Sequence, residues 1–209
     1  MSDCLADFLP AVWTLDWASV DIAQRAREAQ AFGLSADALP ELMAWCTSEF
    51  DQAWGWPGAI YELNTARAFA RRFLPAVADL KLLALALPED LVPVFIEEAR
   101  PRTPQEGPLG VFTCVLSNRC LAPGGTPLGW EILGLDMASF HSWLCNGLEV
   151  EVFNEFGIRP GANGLLHNEA DARRAAEHCG QEKVGAEPAL WQPWALVEYS
   201  LLEATDAAA

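Results

Sequence analysis

The chain predicts an α+β fold: a mostly helical first third, then a small, mainly antiparallel sheet with helices packed on it. Three observations carry that prediction. Apolar residues recur at helical spacing between Ser35 and Leu74. Beyond residue 109 the apolar runs shorten and are separated by turns rich in Gly and Pro. Strand-like and helix-like stretches do not alternate regularly, which argues against Rossmann and TIM-barrel architectures. At 209 residues and 52% hydrophobic, the chain can bury a substantial core and is too apolar to stay disordered. It reads as one domain, 1–209, with a possible division into a helix-rich 1–100 and a sheet-bearing 109–209. The linker would be residues 100–108, RPRTPQEGP.

Residues 1–18 place Phe8, Trp13, Leu15 and Trp17 around Pro10, an arm anchored by aromatics. Residues 19–32 read as a helix with Ser19 or Asp21 at its start and Gly33 at its end. Ser35 opens the next, where Leu39, Leu42, Met43, Cys46 and Phe50 share a face. Ala53–Gly58, AWGWPG, stops it. A third helix is expected from Ala59 to Leu74, with Ile60, Leu63, Ala66, Ala70 and Phe73 as its apolar stripe. Arg67, Arg71 and Arg72 lie off that stripe and read as a solvated face paired with surplus acid. Lys81–Leu87 is a short apolar run expected to be a strand. Pro88 suits the start of a helix, although Pro93 delays it unless the helix begins there.

Gly110–Leu116 and Trp130–Leu135 read as strands around a turn-rich loop, Leu121–Gly129. Phe140–Phe156 is expected to be one helix, capped by Ser139 and ended by Gly157. Leu165 and Leu166 suggest a short strand, and Glu169–Cys179 a helix with an acidic start. Trp191–Leu202 reads as the closing strand, with Pro193 favouring an edge position.

If Phe140–Phe156 is helical, His141, Cys145 and Glu149 stand one turn apart. A thiol beside an imidazole is the start of a cysteine-hydrolase site, and the same trio with a further ligand could hold zinc. The helical wheel instead puts His141 and Cys145 beside Phe140, Leu144 and Leu148, so both are expected in the core. Ser142 and Asn146 fall on the wetter side near Glu149. No nucleophile elbow, HExxH, P-loop or GxGxxG occurs, so neither a metal nor a cofactor is expected.

Charge points elsewhere. The net charge is −16, spread over the whole length, which disfavours nucleic acid and anionic membrane and favours a basic partner. The start has no secretory features, no apolar run is long enough to span a bilayer, and the six cysteines form no CxxC pair. The sequence therefore predicts a cytoplasmic protein with six free thiols. Between Arg119 and Arg159 there is no Lys or Arg, but there are Glu131, Asp136, Glu149, Glu151 and Glu155. Those acids, with Trp130 and Trp143 as apolar anchors and Ser142 and Asn146 as polar contacts, form the expected binding surface. In size, acidity and missing catalytic motifs the chain resembles, as a class, bacterial immunity proteins, which mask the basic active sites of toxins. That resemblance implies a domain that neutralises a basic toxin or effector by binding it. The alternative is a small cysteine-dependent hydrolase using Cys145 and His141.

Overall fold

A computed structural model describes residues 38–50, 52–55, 59–75, 80–99, 121–136, 139–181, 184 and 188–201. The aromatic arm, the helix expected over 19–32, the Pro-rich linker and the strand expected over Gly110–Leu116 lie outside them. The described residues form five helices and a four-stranded sheet, an α+β fold. The chain divides into two compact units. One comprises Met1–Leu82, Pro108–Cys114 and Ser200–Ala209, the other Leu83–Gly107 and Val115–Tyr199.

In the first unit, helix α1 spans Leu39–Glu49, with Pro40 in its first turn, where its missing N–H costs nothing. Leu39, Leu42 and Cys46 are its buried stripe. Strands β1 (Trp54–Gly55) and β2 (Ala59–Ile60) pair antiparallel. Helix α2 therefore starts at Leu63 and runs to Phe73, later than the helical spacing from Ala59 suggests, because Ala59 and Ile60 serve the ladder. Trp54 is fully buried and donates its indole N–H to the Cys46 carbonyl at 2.9 Å. The tilted rings of Trp45, Phe69 and Phe73 close the core. Arg72 pairs with Glu41, as expected of a basic face meeting surplus acid.

The second unit is built on the sheet. Its strands are β3 (Leu82–Ala86), β4 (Thr126–Asp136), β5 (Ser139–Ser142) and β6 (Leu190–Tyr199), in the order β3-β6-β4-β5. The β4–β5 and β4–β6 ladders are antiparallel. A short 3-10 turn, Glu89–Leu91, leads into α3 (Val92–Ala99), which places Pro93 in a first turn. Helix α4 spans Leu148–Phe156 and α5 Glu169–Cys179. Asn168 caps α5 by accepting from the Asp171 N–H at 2.8 Å.

Two further sequence expectations are corrected. β6 is an interior strand although it contains Pro193. Pro193 stands opposite Ile132, whose carbonyl accepts from Trp143 N–H on the far side of β4. The Ile132–Pro193 pair is thus a non-hydrogen-bonded one, so the proline takes no bond from the β4–β6 ladder and its missing N–H falls on the β3 side of β6. The helix expected over Phe140–Phe156 is also absent in its first half. Ser139–Ser142 is strand, residues 143–147 are turn, and only Leu148–Phe156 is helical. The outer flank of β4 needs backbone partners, and Phe140 to Trp143 supply them, a tertiary demand that overrides local propensity. Gly147, at φ +70°, then resets the chain direction for α4.

Alternation gives the sheet two lined faces. On one, Ile132 and Trp191 join Trp143, Leu148, Val152, Leu166 and the alanines of α5 in the main core. Gly134 lies on this face because a Cβ there would meet the Trp191 ring at 2.9 Å. On the other, Trp194 is buried between Phe95 of α3 and Phe140 of β5, edge-on to both at 5.5 and 5.3 Å. Glu131 belongs to this second face.

Candidate functional site

Ser142 is the joint of the candidate site. It ends β5, opposite Leu133, and its hydroxyl donates to Glu131 Oε1 at 2.6 Å. The same hydroxyl accepts from the Leu144 N–H at 3.2 Å. Its carbonyl accepts from the Cys145 N–H at 3.1 Å and from Asn146 Nδ2 at 3.3 Å. One serine thus ties the second sheet face to the turn that launches α4. Ser142 and Asn146 do share a locale, but on a strand end and a turn, not on one helical face.

Glu131 stands directly across from Trp194 and is half-buried. Desolvation pushes its carboxyl up to about 7, and the Ser142 hydrogen bond offsets only part of that. No cationic side chain among the described residues pairs with it. The indole N–H of Trp194, although buried, has no partner among the described residues.

The other acids of the stretch lie apart from Glu131. Asp136 is half-buried at the end of β4, opposite Ser139. Glu149 and Glu151 occupy the first turn of α4, where the helix dipole favours them, and Gly147 provides no side-chain cap. Glu155 is exposed in the last turn, where the dipole disfavours it. Between them Val150 is 57% exposed, the most exposed of the large apolar side chains described. Two arginines are near α4, yet both lie over its rings, Arg159 on Phe153 at 3.6 Å and Arg174 on Phe156 at 5.7 Å. None of Glu149, Glu151 and Glu155 forms an ion pair with a described residue, whereas Glu41, Asp90 and Glu169 all pair with arginine.

The two tryptophans expected as anchors differ. Trp130 is half-buried and its backbone bridges to Leu166 in both directions at 2.8 Å. Trp143 is fully buried in the main core, so it supports the turn from inside and is not a surface anchor. The sequence signal for both was the same, since a lone Trp near acids does not reveal its burial.

His141 and Cys145 do not stack on a helix. His141 sits in β5 opposite Gly134, and Cys145 is an exposed turn residue rather than a core one. Among the described cysteines Cys46 and Cys179 are buried, both pushed up to about 12 by desolvation. Among the described residues no group of three His, Cys, Asp or Glu side chains could hold a metal ion. Brief alkylation of the folded protein near pH 7 is expected to mark Cys145 well before Cys46 and Cys179, with six thiols titrating after denaturation. Peptide mapping by mass spectrometry checks both; early modification of Cys46 or Cys179 would contradict their placement. No helix of the described residues is long and apolar enough to cross a membrane. No family model, curated protein or solved structure matches the chain.

Proposed function

We propose that this chain is an acidic protein-binding domain that meets a basic protein partner through the outer face of α4 and the turn leading into it. The observation that carries the reading is the unpaired acid of α4. Arginines pair with Glu41, Asp90 and Glu169, whereas the two arginines close to α4 leave Glu149, Glu151 and Glu155 without an ion pair among the described residues, Glu151 and Glu155 exposed and Glu149 with its Oε2 buried. A helix that needed acids only for its dipole would not place Glu155 in its last turn. Exposed Val150 among these acids supplies a small apolar contact, and half-buried Trp130 is the aromatic that the sequence nominates for a larger one. A partner of the toxin or effector kind, whose basic site would be masked by this face, fits the charge and the lack of a catalytic motif. The cysteine-hydrolase reading has one observation in its favour, the exposure of Cys145.

The test is a pulldown from the native host followed by association kinetics at two salt concentrations. Replacing Glu149, Glu151 and Glu155 by Gln is expected to slow association on the order of tenfold at low salt and to flatten its salt dependence. Replacing Glu89, Glu97 and Glu98, acids exposed on another part of the same unit, is expected to do much less. Equal effects from the two triple variants would reduce the matter to net charge and remove α4 as the site. Turnover of an ester or amide library, lost in Cys145→Ser, with no partner recovered would favour the hydrolase.

A further inference from the structure

Resting on the protein-binding reading, we infer that Glu131, with Ser142 and the ring of Phe140, is a receptor for a single cationic side chain, a lysine ammonium or an arginine guanidinium carried by the partner. Four features of the sheet face converge on that chemistry. A carboxyl lies half-buried among apolar groups with no cation among the described residues paired with it. Burying a charge without a counter-charge is costly, so the position is expensive as it stands. Ser142 fixes Oε1 at 2.6 Å, while Oε2 accepts no hydrogen bond from a described residue in a side chain that is only half-buried. Phe140, half-buried on the same face of the sheet, is held edge to face on buried Trp194 at 5.3 Å, and the face of such a ring attracts cations.

The described groups around Glu131 supply no counter-charge. From β6 the same face receives Trp194 and Gln192, from β5 Ser142 and Phe140, and from α3 the ring of Phe95 beside Trp194. None of these is charged. A flexible basic stem entering from solvent would bury methylenes against the Phe140 ring and deliver its charge to Oε2. It would also pull a proton off Glu131, because an opposite charge nearby favours the ionised carboxyl. Near neutral pH, where Glu131 is poised, binding would therefore release protons and strengthen as pH rises.

The experiment uses full-length protein labelled with 13C at the glutamate side-chain carbonyl, titrated between pH 4.5 and 9 by NMR. Three probes are compared: hexalysine, hexaarginine and butylammonium chloride. A basic peptide is expected to lower the Glu131 midpoint by about one pH unit, tenfold in proton affinity, and to bind about fivefold more tightly at pH 8 than at pH 6. Glu131→Gln is expected to abolish that pH dependence and to weaken peptide binding at pH 8. Peptide binding that leaves Glu131 unmoved and is indifferent to pH overturns the receptor. If that same binding is lost in the α4 triple Gln variant, the proposed function survives without it. If butylammonium moves Glu131 and the peptides do not, the site takes free amines, and its assignment to a partner side chain falls. No response to any probe also overturns it, and the titration of the unaltered protein decides the question even if Glu131→Gln folds poorly.

Discussion

Trp143→Ala is expected to destabilise the protein by about 3–5 kcal/mol, the usual cost of emptying a large aromatic site in a close-packed core. Trp143 is fully buried and packs with Ile132, Leu148, Val152 and Leu166. Its backbone does further work: the N–H donates to Ile132 and the carbonyl accepts from Leu148, so the residue links β4 to the start of α4. The buried indole N–H has no partner among the described residues, which makes the alkyl and ring contacts the main stabilising contribution. Urea unfolding with a constant slope would measure the loss. At a temperature where the variant remains folded, partner binding should persist. Unchanged stability with lost binding would return Trp143 to the role of surface anchor that the sequence assigns it. Trp130→Ala provides the contrast, because Trp130 is only half-buried and its bridge to Leu166 is made by backbone alone.

The parts of the fold legible in the sequence are those decided locally. Leu82–Ala86, Glu169–Cys179 and the end of α4 at Gly157 follow from apolar runs, an acidic first turn and a glycine stop. The parts that misled are decided by distant partners. Phe140 to Trp143 carry a helical apolar spacing but are captured by the flank of β4. Ala59 and Ile60 continue a helical stripe but pair with Gly55 and Trp54. Pro193 signals an edge, and only the register opposite Ile132 shows why it spares the β4–β6 ladder. The acids of the candidate surface were legible as a charge gap. That Glu131 faces away from α4's acids, against Trp194 and Ser142, depends on strand alternation and could not be read without the sheet.

Glu131→Gln is expected to raise stability by about 1–3 kcal/mol at pH 8 and to leave it nearly unchanged below pH 4.5. The folded protein holds the Glu131 carboxyl up to about 7, above its ordinary value of 4.5, because the group is desolvated among apolar neighbours. The folded state therefore binds the proton more tightly than the unfolded one. Whatever that preference contributes is fully present below about 4.5 and is lost progressively as pH rises to about 7 and beyond. Glutamine is close in shape, can still accept from the Ser142 hydroxyl, and has nothing to ionise, so it escapes the penalty. The remaining acids titrate alike in both proteins, and the difference between them isolates this one group. Melting curves of the two proteins from pH 4 to pH 9 should separate with a midpoint near neutrality, the original chain becoming the weaker as pH rises. A constant gap at all pH values would mean that Glu131 is neither desolvated nor protonated near neutrality. A stabilised variant that also loses its basic partner would mean that the chain gives up stability at this position in exchange for binding, the trade expected where a buried charge awaits its counter-ion.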